Sequence, residues 1–275
     1  MIRLAVRCSP DLAERVLAEL VVLAPQGVEE DHGAGYVEYA IYGAPGELPA
    51  LPDLEAVAGD EQVEVSTTDV PDDWADRWQD FHRPLLVGGR LWVRPSWEEP
   101  RASTVDVVID PGQAFGTGAH PTTRMCLELL LELADNDDAR GPLADWGTGS
   151  GLLAIAAAKL GFSPIVACDH EAAALEATAS NAEANGVDVQ LERVNLRQDA
   201  APFAPTAVAN LTAPLLREVA GLLDRVPDRL VCSGLLVAEV DEVVAAFASR
   251  GLSEGARRGN GDWGAVALSA AAGEE

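Results

Sequence analysis

With 275 residues and a hydrophobic content of 48%, the chain is long enough for one large domain, or for a main domain with a smaller companion. Its 45 acidic residues against 19 basic ones leave a net charge of −26. Such a field repels a phosphate backbone and argues against direct contact with nucleic acid. No run approaches the roughly eighteen apolar residues of a membrane span, and the opening MIRLAVRCSPDLAERV breaks into charge too early for a signal peptide, so a cytoplasmic protein without membrane contact is expected.

The same charge would draw in a basic protein or an amine, although solubility alone, or a salty cytoplasm, accounts for it equally well. Aromatics make up 5%, so the core must be aliphatic. Cys8, Cys126, Cys168 and Cys232 are far apart with no CxxC pair and read as buried, reduced thiols. No two histidines have metal-ligand spacing, and no metal site is expected.

In chain order, MIRLAVRC reads as a strand and SPDLAERVLAELVVL as a helix, with Leu12, Val16, Leu20 and Leu23 on one face after Ser9 and Pro10. GYVEYAIYG and EQVEVSTTDV alternate like strands. Together they predict a small α+β module over residues 1–70, an antiparallel sheet with helical cover. Trp74, Trp78 and Phe81 then fall at helical spacing and predict a connecting helix over 71–83 with one aromatic face. From 84 to 275 comes a second domain. LLVGGRLWVRP and VDVVID read as strands, the first run turned at Gly88 and Gly89. After residue 120, helices are interleaved with the strands PLADWG, PIVACD, VQLERVN, TAVANL and RLVCSGLL, the third and fourth of them without a helix between, and two strand-like runs around GNGDWG close the chain. That rhythm predicts a doubly wound, mostly parallel sheet with an antiparallel edge.

Two glycine-rich stretches interrupt this pattern, DPGQAFGTGAHPTT from Asp110 to Thr123 and DWGTGSG from Asp145 to Gly151. The second follows the first strand of the wound unit, where open parallel sheets bind ligands. Its G-x-G-x-G spacing is not the G-x-G-x-x-G of a dinucleotide loop. A P-loop is excluded as well, because Leu152 and Leu153 stand where Lys and Ser or Thr would follow. S-adenosyl-L-methionine remains, a cofactor with no phosphate and a cationic sulfonium, which an acidic neighbour such as Asp145 suits. Asp169, 22 residues beyond Gly147 (147 to 169), ends the next strand, where a carboxylate can accept from both ribose hydroxyls of an adenosine cofactor.

DPGQAFGTGAHPTT, DWGTGSGLLAIAAAKLG, VACDHEAAALEATASNAEANGV, VANLTAPLL and CSGLL together resemble the bacterial ribosomal protein L-eleven methyltransferase family, from about Trp74 to Trp263. The resemblance implies a ferredoxin-like substrate-recognition domain joined to a seven-strand, Rossmann-like methyltransferase domain. It implies methyl transfer from S-adenosyl-L-methionine to lysine side-chain and N-terminal amines of one ribosomal protein. It also implies cofactor contacts at Thr123, Gly147, Asp169 and Asn210. Asn210-Leu211-Thr212-Ala213 lacks the aromatic that would stack on a planar substrate, which favours a flexible aliphatic amine. Trp146, Thr148 and Thr212 depart from the family's usual residues. No catalytic residue is assigned; His120 is a candidate base by position only, beside a structural role in its loop. The two glycine stretches are expected to form two walls of one site, with Phe115 to Gly118 as a lid. Rival readings are a methyltransferase of another protein or small amine, a nicotinamide-dependent oxidoreductase, and a module that binds the cofactor without turnover.

Overall fold

The computed structural model describes residues 2–13, 16, 20, 29–33, 35–43, 63–69, 83–110, 120–136 and 140–270. The chain divides into two compact units, Met1–Phe81 and His82–Glu275.

In the first unit, β1 (Ile2–Cys8), β2 (Glu29–Gly33), β3 (Tyr36–Gly43) and β4 (Glu64–Asp69) form an antiparallel sheet in the order β2-β3-β1-β4. Alternation sorts the two faces. Leu4, Val6 and Cys8 of β1 and Val37, Tyr39 and Ile41 of β3 are buried with the helical residues Val16 and Leu20. On the other face Arg7 stands directly across from Glu38, whose carboxylate accepts from Arg3 at 2.8 Å and Arg7 at 2.7 Å. Those guanidinium hydrogen bonds, that of Arg3 first, hold the Glu38 carboxyl below its usual range. The acidic edge strand β2, EEDHG, was not expected: it has no apolar alternation and is held by backbone pairing to β3. Leu23 and the connecting-helix residues Trp74, Trp78 and Phe81 lie outside the described residues.

The second unit opens with β5 (Leu85–Val87), β6 (Leu91–Arg94) and β7 (Val105–Val108), a three-stranded sheet in which β5 and β6 form a hairpin and β7 runs parallel to β6. Helix α1 (Pro121–Ala134) follows. The main sheet is built from β8 (Leu143–Trp146), β9 (Ile165–Asp169), β10 (Gln190–Arg193), β11 (Thr206–Asn210), β12 (Arg229–Leu236), β13 (Leu252–Asn260) and β14 (Trp263–Ala270). Its order is β10-β9-β8-β11-β12-β14-β13, with β8 to β12 parallel and β13 and β14 antiparallel. Helices α2 (Leu152–Lys159), α3 (Ala172–Asn185), α4 (Ala213–Leu222) and α5 (Val240–Ala248) complete the unit.

The inner strands β8, β9, β11 and β12 read as near-continuous apolar runs because both faces of the sheet are covered there. Leu143, Val208 and Val231 join one core with residues of α1 and α2, such as Leu127, Leu130 and Ile155. Their neighbours Ala144, Ala207, Ala209 and Cys232 join a second core with Leu216 of α4 and Phe247 of α5. Strand order reverses direction at β8, so a crevice opens at the carboxyl ends of β8 and β11, the usual ligand position in such a sheet. The second glycine stretch and Thr123, the last residue of the first, lie at that end. All four cysteines are buried and unpaired. No helix among the described residues is long and apolar enough to cross a membrane.

Candidate active site

At the end of β8 the chain turns sharply over β9. Gly147 N–H and Thr148 N–H both donate to the Cys168 carbonyl, at 2.9 and 3.0 Å. Gly147 (φ +76°) and Gly151 (φ +82°) occupy the left-handed region, which glycine enters without steric cost. Space demands glycine at Gly151 too, where a Cβ would lie 2.8 Å from Thr178 Cγ2 and 3.1 Å from Thr178 Cα; at Gly147 a Cβ would meet the movable end of the Leu211 side chain.

The loop is locked from beneath by Asp145, which is 1% exposed. Its Oδ2 accepts from Thr148 Oγ1 at 2.8 Å and from Ala154 N–H at 3.2 Å, tying the turn to the start of α2. Oδ1 has no hydrogen-bond partner among the described residues. Burial therefore dominates and pushes the Asp145 carboxyl up to about 7, against the opposing pull of its two donors.

Asp169 ends β9 beside this turn. Its Oδ2 accepts from Gly149 N–H at 3.1 Å and its Oδ1 from Glu171 N–H at 3.1 Å. A carboxylate has about four lone-pair sites, so both oxygens keep capacity for further donors. On the opposite wall Pro121 opens α1, and His120 is its N-cap: Nδ1 accepts from Thr122 N–H at 3.4 Å and lies 2.7 Å from Thr122 Oγ1. The His120 ring also meets Trp263 edge-on at 4.7 Å. These contacts give His120 a structural place at the helix start. Thr123, 1% exposed, presents Oγ1 to Asn210 Nδ2 at 3.0 Å, joining α1 to the end of β11.

Thr123, Gly147, Asp169 and Asn210 thus line one cavity of about 450 Å³, with apolar patches from Leu211 and Leu215. The departures from the family pattern resolve differently. Trp146 points away, buried in the second core with Nε1 donating to Pro202 O at 3.0 Å. Thr148 lines the cavity and holds Asp145. Thr212 is the N-cap residue of α4, with Pro214 in the first turn. Residues 111–119, including the expected lid at Phe115 to Gly118, lie outside the described residues.

Sequence reasoning missed two groups. Asn195, Leu196 and Arg197, after β10, also line the cavity; their position past the carboxyl end of a parallel strand was the available signal. Thr178 and Asn181 of α3 donate to Gly149 O and Ser150 O, at 3.1 and 2.8 Å. Polar residues at i and i+3 on a face that must be buried were the only hint.

Residues 49–271, more than half the chain, match the family model described as ribosomal protein L11 methyltransferase (PrmA). The chain belongs to this family. Similar curated relatives are the ribosomal protein L11 methyltransferases of Shewanella piezotolerans strain WP3, 43% identical over 197 residues (70% of this chain, 66% of the relative), and of Escherichia coli strain SMS-3-5, 42% identical over 182 residues (64% and 61%). The matched stretch therefore spans slightly under two thirds of these relatives' length. The crystal structure of a ribosomal protein L11 methylase from Lactobacillus delbrueckii subsp. bulgaricus superposes with a TM-score of 0.61 at 28% identity, covering 69% of this chain and 99% of that one. Family membership agrees with the parallel sheet, its antiparallel edge and the cavity at the strand ends.

Proposed function

We propose that this protein transfers methyl groups from S-adenosyl-L-methionine to lysine side-chain and N-terminal amines of ribosomal protein L11. The observation that carries the reading is the convergence of Thr123, Gly147, Asp169 and Asn210 on one cavity in a chain of this family.

The residues present fit the cofactor. Two tightly packed glycines bring backbone, not side chains, to the cavity wall. Asp169 offers acceptors for sugar hydroxyls, and Leu196, Leu211 and Leu215 offer apolar surface for a nucleobase. A pyrophosphate fits poorly: Arg197, the cavity's arginine, is paired with Glu218 at 3.2 Å, and Asp169 and Glu171 would repel it. This weighs against the nicotinamide reading. When bound, S-adenosyl-L-methionine supplies a methyl group activated by its sulfonium charge.

In this reading Asp169 binds the ribose and the turn at Gly147 supports the nucleoside. Thr123, with the first-turn amides of α1 around it, takes the methionine carboxylate. Because Asn210 spends its NH₂ on Thr123, its Oδ1 is the end left to accept from an arriving amine. That amine must come in neutral, since an ammonium has no lone pair, and a free lysine near pKa 10.4 is mostly charged at neutral pH. Desolvation between apolar walls favours the neutral form. Alignment of the amine is then the chain's main catalytic contribution.

Residues 1–70 would recognise the substrate and residues 84–275 carry out the reaction, with 71–83 connecting them, in the cytoplasm and without direct contact to nucleic acid. Residues 1–48 lie outside the family match, which favours, as the second reading, another protein or a small amine as acceptor. Incubation with radiolabelled S-adenosyl-L-methionine and purified ribosomal protein L11 tests both readings. Label in lysine and N-terminal positions of L11 supports the first; label appearing only in other proteins or small amines of an extract supports the second.

A further inference from the structure

Helix α3 presents three polar side chains on one face, Thr178, Asn181 and Asn185, at the i, i+3, i+7 spacing of a buried stripe. The last of them treats β7 as a strand partner: Asn185 Oδ1 accepts from Val108 N–H at 2.9 Å, and its Nδ2 donates to Val108 O at 2.6 Å. Two residues past the end of β7, Asp110 begins the first glycine-rich stretch. Its N–H donates to Asn181 Oδ1 at 3.2 Å. The same amide turns its Nδ2 the other way, to Ser150 O in the second glycine-rich stretch, at 2.8 Å. Asn181 is 5% exposed; its bond to Ser150 O is buried and its bond from Asp110 N–H part-buried.

We propose that Asn181 is a positioning residue that ties both glycine-rich stretches to α3, so that the cavity floor at Gly149–Gly151 and the entry to the first loop at Asp110 are held in one register. An amide is the side chain this place requires. It needs one donor and one acceptor at opposite ends of a planar group. A carboxylate would set negative charge against the Ser150 carbonyl. An alkyl group would take this partner away from the Asp110 N–H and from the Ser150 carbonyl, and the desolvation cost is greatest at the buried Ser150 end. Thr178 reinforces the floor one turn earlier, and Asn185 reinforces β7 one turn later. Asn181 joins the two halves.

The part of this proposal that concerns the cofactor rests on the function proposed above; the tie itself does not. The test compares the wild type, Asn181→Leu and a stability control, Val243→Ala, a buried residue of α5 that does not line the cavity. Each is measured for thermal stability, for residue-resolved amide hydrogen exchange without ligand, and for S-adenosylhomocysteine binding by calorimetry. In Asn181→Leu the Asp110 amide is expected to exchange at least about tenfold faster and the Kd to rise about tenfold, the scale of one lost buried hydrogen bond. Val243→Ala is expected to lose comparable thermal stability with its Kd within about twofold of wild type. An Asp110 amide as protected as in the wild type, an unchanged Kd, or equal weakening in Val243→Ala would each overturn the proposal. If Asn181→Leu does not fold, Asn181→Asp decides: it keeps the acceptor for Asp110 and removes the donor to Ser150, so Asp110 should stay protected while binding weakens. An unweakened Kd there would overturn it equally. Failure of the wild type to bind S-adenosylhomocysteine would sink the proposed cofactor and leave the exchange data to judge the tie.

Discussion

Asp169 has two tasks that a single substitution would remove together. It holds the Gly149 and Glu171 amides, and in the function proposed above it also binds the cofactor's ribose. Asp169→Ala should therefore weaken S-adenosylhomocysteine binding by about ten- to a hundredfold, given the strength of hydrogen bonds to charged groups; calorimetry showing an unchanged Kd would remove Asp169 from the site. Asp145 makes a different prediction, through pH. Its folded carboxyl is raised to about 7 from an ordinary 3.8, so between those values the folded state binds more protons than the unfolded state. Stability then falls as pH rises through that window. The loss between pH 5 and 8 should be on the order of 2 kcal/mol from this group. Urea titrations of the wild type should show this decline, and Asp145→Asn, which has no charge to bury, should flatten it.

At the scale of elements, the second glycine turn is a joint between β8, α2 and α3. Gly151→Ala forces a Cβ to within 2.8 Å of Thr178 Cγ2 and 3.1 Å of Thr178 Cα, with φ at +82°. One contact is with backbone, so the neighbour cannot simply rotate away. The expected cost is about 1–3 kcal/mol, read as a fall in Tm of several degrees together with weaker cofactor binding; a variant as stable and as tight as the wild type would refute the packing argument. The same elements mark what could be read from sequence. Strands β8, β9, β11 and β12 were legible because strands buried on both faces are written as apolar runs between turn residues. β2 was not, because an edge strand of Glu, Glu, Asp, His and Gly is defined by its neighbour's backbone. Thr123, Asp169 and Asn210 stand at element ends that a pattern locates. Asn181 sits mid-helix among alanines, and only the fold reveals what its amide faces.

For the whole molecule, the net charge of −26 sets a long-range field. If the substrate is the ribosomal protein proposed above and is basic, attraction should raise its encounter rate at low ionic strength. The apparent KM for that substrate should accordingly rise several-fold between about 50 and 500 mM salt, where the Debye length shrinks severalfold. The apparent KM for S-adenosyl-L-methionine, bound in a small cavity, should change little. Steady-state kinetics across a salt series check both, and equal responses would mean that the acidity serves solubility alone. This fits a molecule whose acids lie mostly at the surface, while its buried polar groups hold the site.

The place of β14 has a further consequence, for the order in which the chain is made. It is the last strand of the main sheet in sequence, yet it lies between β12 and β13, and its Trp263 meets the His120 cap of α1. During synthesis, a chain that has emerged only as far as β13 would leave one edge of β12 open, and the start of α1, already tied to β11 through Thr123, without its contact to Trp263. That contact to the wall carrying Thr123 is therefore added last, after every other strand of the sheet has left the ribosome.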